Sequence, residues 1–132
     1  MPLIATDTYR LSHLLKQELF PEHGFCREVV TVNEAAAKTY AVGTVLGKVT
    51  ANGKYKIAVQ SAVDGSQTAA AIVMQDQSIP ITTDTKVLVL ARGPAIVSKS
   101  ALVLDATYDL QAEKDVVYAS LTAAGIIVAD TI

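Results

Sequence analysis

Four residues in the first part of the chain come nearest to a reactive set: Cys26, His13, His23 and Glu22. A thiol, two imidazoles and a carboxylate are the donors that tetrahedral zinc accepts. His13 and His23 stand ten positions apart, however, and Pro21 and Gly24 break any common helix that would aim them at one point. Two polar histidines on an N-terminal arm are the simpler reading. Cys26 has no second cysteine to pair with, so it reads as a buried apolar thiol rather than a nucleophile.

Serine chemistry needs a base beside the hydroxyl and a strained elbow to present it, and no Gly-x-Ser-x-Gly stretch occurs. Asp64-Gly65-Ser66 reads as a turn, with Gly taking positive φ and the flanking side chains bonding nearby backbone. The carboxylate pairs Asp105 with Asp109 and Glu113 with Asp115 suit acid–base work in principle. They stand where a helix should begin, and negative charge is favourable there. Gly43-Thr44-Val45-Leu46-Gly47-Lys48 has too few intervening residues for a P-loop and no helix after it, so its glycines read as strand bends. The expectation is a protein that is not an enzyme and holds no cofactor or metal.

The elements that would position these residues are mostly strands. Phe25 to Val32 and Val42 to Thr50 are rich in β-branched residues. Asn52-Gly53 is a strong two-residue hairpin signal, with Tyr55 to Val59 returning antiparallel; that turn sets Lys48 opposite Ile57, mixing charge and apolar surface on one face. Ala69 to Met74, Lys86 to Ala91 and Ala95 to Ser98 follow, separated by Asp64-Gly65, a loop around Pro80, and Arg92-Gly93-Pro94. Asp109 to Ala124 is the convincing helix, capped by Asp109, with Leu110, Val117, Leu121 and Ala124 on its apolar face. Gly125 ends it and Ile126 to Val128 forms a last strand. Near the N-terminus, Leu11, Leu14, Leu15 and Leu19 recur at helical spacing, which predicts a short helix begun at Thr6 or Asp7 and stopped by Pro21. The fold class expected is α+β, mainly β: one small domain of sandwich or barrel type, with a helix in its C-terminal half and a short N-terminal helix. Its parts are an arm over residues 1–40 and a β-rich body over 41–132.

At 132 residues the chain can bury a core without disulfides. Net charge is −2 and the eleven Lys and Arg are scattered, which gives no footprint for nucleic acid. No apolar run approaches the roughly 18 residues a membrane helix needs. The N-terminus does not read as a secretory signal, so synthesis in a cytoplasm is expected.

The run Ala41 to Thr50, then Gly53-Lys54-Tyr55, Asp64-Gly65-Ser66 and Ala69 to Met74, resembles the lambda-type phage head decoration proteins. The likeness continues through Val87 to Ala95, Ser100-Ala101-Leu102 and the late helix to Gly125-Ile126-Ile127-Val128, about two-thirds of the chain. The resemblance implies a β-tulip type of domain. It also implies a homotrimer at local threefold positions on the outer surface of an expanded tailed-phage capsid, stabilising the shell, with the major capsid protein as partner. Family members order an N-terminal segment on docking, as an added strand. Here that segment is expected over Pro2 to Thr8, including Pro2, Leu3 and Ile4, with Leu11, Leu14, Leu15 and Leu19 docking on capsid or a neighbouring trimer. The competing reading of those leucines is that they cover the subunit's own core. A second functional class is a β-sandwich recognition module for carbohydrate or a cell-surface ligand, on the strength of five tyrosines without tryptophan.

Overall fold

A computed structural model describes residues 14–18 and 26–129. In chain order its strands are β1 (Leu15–Glu18), β2 (Arg27–Val32), β3 (Lys38–Tyr40), β4 (Val45–Lys48), β5 (Tyr55–Ile57), β6 (Ala69–Val73), β7 (Gln77–Ile79), β8 (Thr85–Leu90), β9 (Ala95–Ser98) and β10 (Ile126–Ala129). The helix α1 (Gln111–Ala123) lies between β9 and β10. Mainly β with one well-formed helix is the class the sequence leads one to expect.

Five strands close a barrel in the order β2-β5-β4-β6-β8, with β8 returning to β2. The longest ladder joins β2 to β8 antiparallel, from Arg27 opposite Leu90 to Val32 opposite Thr85. All five strands send side chains to one cluster, Val30, Val32, Leu46, Ala71, Val73, Val87 and Val89 with Tyr55 and Ile57, so that cluster is the barrel interior. The alternate residues of β4, β6 and β8, among them Val45, Ile72 and Leu90, belong to a second cluster with Val97, Val117, Leu121 and Ile126. These three strands are therefore buried on both faces. That is why Ala69 to Val73 reads as an unbroken apolar run rather than an alternating one.

Helix α1 and an open sheet cover the barrel's outer wall. That sheet has the order β1-β9-β10, with β1 antiparallel and β10 parallel to β9. The parallel connection needs a long crossover, and α1 supplies it. Gly93 and Gly125 hold the sheet's entrance close: the Gly93 N–H donates to Ala124 O at 3.0 Å, and a Cβ on Gly93 would collide with Gly125 O. A third, two-stranded sheet, β3 with β7, adds Tyr40 and Ile79 to the interior core. The division expected at residue 40 falls between β3 and β4, while β2 and β3 on one side of it pair with β8, β5 and β7 on the other.

Three local expectations are corrected. Leu15–Glu18 is a strand and not the second half of a helix; Leu11 and Leu19, which would complete that helix, lie outside the described residues. Pairing with β9 overrides leucine spacing that suits a helix equally well. Second, the β4–β5 loop has four residues rather than two. The Val49 N–H donates to Lys54 O at 2.8 Å and the Gly53 N–H to Val49 O at 2.9 Å, with positive φ at Gly53 and not at Asn52. The register shifts by two, placing Leu46 opposite Ile57 and Lys48 opposite Tyr55, so Lys48 faces the Tyr55 ring rather than Ile57. Third, Leu110 is extended and 63% exposed because α1 starts one residue later, and Ala124 is exposed at its end; Val117 and Leu121 alone bury. Glu113, not Asp109, serves the helix start, with its Oε1 accepting from the Leu110 N–H at 3.2 Å.

Candidate functional site

The N-terminal leucines divide between body and arm. Leu14 is fully buried in the outer core with Val97, Val117, Leu121 and Ile126, and Leu15 packs partly buried against the same cluster. β1 follows at once, pairing Leu15 with Val97, Gln17 with Ile96 and Glu18 with Ala95 across one irregularity. Of the leucines expected to dock on a partner, these two are committed to the chain's own core. The remaining candidates, Pro2, Leu3, Ile4, Leu11 and Leu19, lie outside the described residues.

The residues that suggested chemistry are absorbed into structure. Ser66 is buried; its Oγ donates to Asp64 Oδ1 at 2.6 Å and its N–H to the same oxygen at 3.0 Å, while Lys56 Nζ lies 3.1 Å from Asp64 Oδ2. Those Ser66 bonds, with Lys56 helping, hold the Asp64 carboxyl at about 2, below the usual carboxylate range. A carboxylate so stabilised is a poor base, and the serine hydroxyl is spent on the turn. Asp105 Oδ2 accepts from Thr107 N and Oγ1, and Asp115 Oδ1 from Gln111 Nε2. Gly47 sits at the β4–β6 bulge, where a Cβ would strike Ser66 O, and a Cβ on Gly43 would strike Ala101 O. Close backbone approach, not phosphate, explains both glycines. The Cys26 thiol is buried with Sγ 3.5 Å from Pro94 O. Its proposed zinc companions His13, His23 and Glu22 lie outside the described residues.

One polar pair was not anticipated. Glu34 and Tyr40 are both buried; the Tyr40 hydroxyl donates to Glu34 Oε2, and the Ile57 N–H donates to that oxygen at 2.7 Å. Burial first, then the hydrogen bond to Glu34 and its charge, push the phenol far above its ordinary range. Tyr40 therefore stays a donor that ties the β3–β7 sheet to β5. The only sequence signal was a glutamate in a stretch without other charge, Val29 to Ala37, and it did not stand out.

Among the described residues no aromatic recognition platform is assembled; Tyr9 lies outside them. Tyr40 and Tyr108 are buried, Tyr55 lies within the interior core, and Tyr118 packs on the outer one with Lys99 Nζ 5.1 Å from its ring. A cleft of about 340 Å³ opens between α1 and the loop before β6, lined by Gln60, Gln67, Thr68, Tyr108, Ala112, Glu113 and Val116. The Tyr108 hydroxyl donates to Gln67 O at 2.9 Å. Among the described residues, no helix is long and apolar enough to cross a membrane and no three metal-ligating side chains cluster.

Comparison with known proteins places this architecture. No characterised protein matches the sequence. The family model described as bacteriophage lambda head decoration protein D matches residues 5–126. That match takes in residues 5–14 ahead of β1 and the body through the first residue of β10, and leaves residues 1–4 outside it. Head decoration proteins are structural proteins of the phage capsid rather than enzymes. The chain belongs to the family of the bacteriophage lambda head decoration protein D.

Proposed function

We propose that the protein binds the outer surface of an expanded tailed-phage capsid as a homotrimer at local threefold positions, and stabilises the shell there. The match to the head decoration family over residues 5–126 is the observation that carries this reading. The domain is read as the β-tulip type, and the partner as the major capsid protein. Attachment falls to the arm: Pro2 to Thr8, with Pro2, Leu3 and Ile4, adds a strand to the capsid protein, so that main-chain hydrogen bonds supply affinity and alternate side chains supply fit. Leu11 and Leu19 extend that contact to capsid or to a neighbouring trimer. Leu14 and Leu15 are left out of it, because their burial in the body supports an anchoring role instead.

Three arms on one trimer would reinforce one another through effective concentration. A ligand that binds only the assembled shell must stabilise it. The test mixes purified protein with expanded heads that lack it and measures resistance to heat and to chelator. Protection that is lost on deleting residues 2–8 is the expected result. Heads no more resistant with the protein than without it would overturn the reading. The deletion has to stop short of Leu14, since a longer one removes part of the core.

A further inference from the structure

We infer that Asn52, in the loop between β4 and β5, is a site of spontaneous covalent modification: in the folded protein its side-chain amide is lost as ammonia, leaving aspartate and isoaspartate. Three features of the loop converge on it. Asn52 is exposed at the tip of the hairpin, where water reaches it freely. Its successor is Gly53, whose main-chain nitrogen is the nucleophile; a methyl built on Gly53 would meet only Lys48 Cε, at 3.7 Å, so the approach is open. Third, the Lys54 N–H donates to Asn52 Oδ1 at 2.9 Å. A side chain bonded to the residue two ahead is folded over the peptide between them, which carries Cγ toward the Gly53 nitrogen, and the same bond draws electrons from the Cγ carbonyl.

The step needs water alone as co-reactant. The Gly53 nitrogen gives its proton to hydroxide and bonds to Cγ, closing a succinimide ring; the Cγ–Nδ2 bond breaks and Nδ2 leaves as ammonia, taking a proton from water. Water then opens the ring. Attack at Cγ breaks the new bond to nitrogen and leaves aspartate, whereas attack at the main-chain carbonyl carbon breaks the original peptide bond and routes the chain through the side chain as isoaspartate. The Gly53 N–H bond to Val49 O, 2.9 Å long, has to open for the attack, so the hairpin sets the pace. Isoaspartate adds a main-chain atom to a loop closed by the Val49 N–H bond to Lys54 O, and either product adds a negative charge near Lys48 and Lys54. The chain carries its own control in Asn33, the other asparagine. There the next residue is Glu34, whose Cβ crowds the nucleophile, and the amide Nδ2 is tied to Asp84 Oδ1 at 2.8 Å.

Folded protein held in mildly alkaline buffer, sampled over time and digested, supplies the test. Peptides with residue 52 should gain about 1 Da and separate into two products, one of them a substrate for isoaspartyl methyltransferase. Peptides with residue 33 should stay unchanged, and the formal net charge of −2 should become more negative by one on isoelectric focusing. The same chain in denaturant sets the interval: conversion of Asn52 there, with none in the folded protein over the same time, would overturn the inference. So would conversion of Asn33 as fast as Asn52. Gly53→Ala should slow the reaction, and conversion at the parent's rate would overturn the succinimide route. Alanine is strained at a φ of +71°, so if that variant does not fold, the comparison of folded with denatured parent decides the matter.

Discussion

The closed barrel and the open sheet that leans on it are built from the same residue types, yet they solve the edge problem in opposite ways. The barrel pairs every strand on both sides and fills its interior chiefly with valines of its own strands and Leu46, joined by Tyr40 and Ile79 from the β3–β7 sheet. The sheet β1-β9-β10 flanks β9 with one strand from near each end of the chain, keeps β1 and β10 as outer strands among the described residues, and shares its core with the barrel wall and α1. Closure gives the barrel local autonomy, whereas the sheet is stable only as long as it is docked. In a protein of the head decoration family, that leaves the less autonomous part beside the arm.

The contrast can be broken most severely from inside the barrel. Leu46→Ala should cost about 2–5 kcal/mol and unfold both regions in a single denaturant transition, since the sheet has nothing to dock on without the barrel. Two separate transitions would show that the sheet has the autonomy denied to it here. Gly93→Ala comes next. Its methyl meets Gly125 O, so a cost of about 1–3 kcal/mol is expected, with amide exchange accelerating in β9 and β10 while β2 and β8 stay protected. Equal acceleration in both regions would erase the distinction.

Tyr40→Phe removes one of two donors from the buried Glu34 and should cost about 1–3 kcal/mol, felt in the β3–β7 sheet before the barrel. A variant as stable as the parent would mean that Glu34 finds another donor. The smallest effect belongs to Asp64. Its pKa is lower folded than unfolded, so its contribution is complete above about pH 3.8 and fades as pH falls toward about 2. Asp64→Asn should flatten the acid end of the stability profile over that window, and an unaltered profile would remove Asp64 from the account.

How far the sequence discloses this molecule follows the same division. Ala69 to Val73, Thr85 to Leu90 and the hairpin around Gly53 are readable because apolar runs bounded by turn residues have few other interpretations. The hairpin register is not readable, since a four-residue loop and a two-residue loop serve the same Asn-Gly pair until Leu46 and Ile57 choose each other. Leu15 to Glu18 is misread because leucines four apart suit a helix, and only the remote partner β9 makes them a strand. β3 and β7, three residues each, carry too little pattern to be seen. For the site, the family likeness led to the arm and to a non-catalytic reading, while the Glu34–Tyr40 pair and the burial of Leu14 depend on long-range packing that no local pattern reports.

The directions of the three strands in the open sheet have a mechanical corollary. β1 runs against β9 and β10 runs with it, and Leu15 and Val128 both sit beside Val97. The start of one outer strand and the finish of the other therefore emerge at the same end, about 10 Å apart at ordinary strand spacing. Any force drawn through Leu15 is therefore passed to β9, which shares it with β10 on its other side.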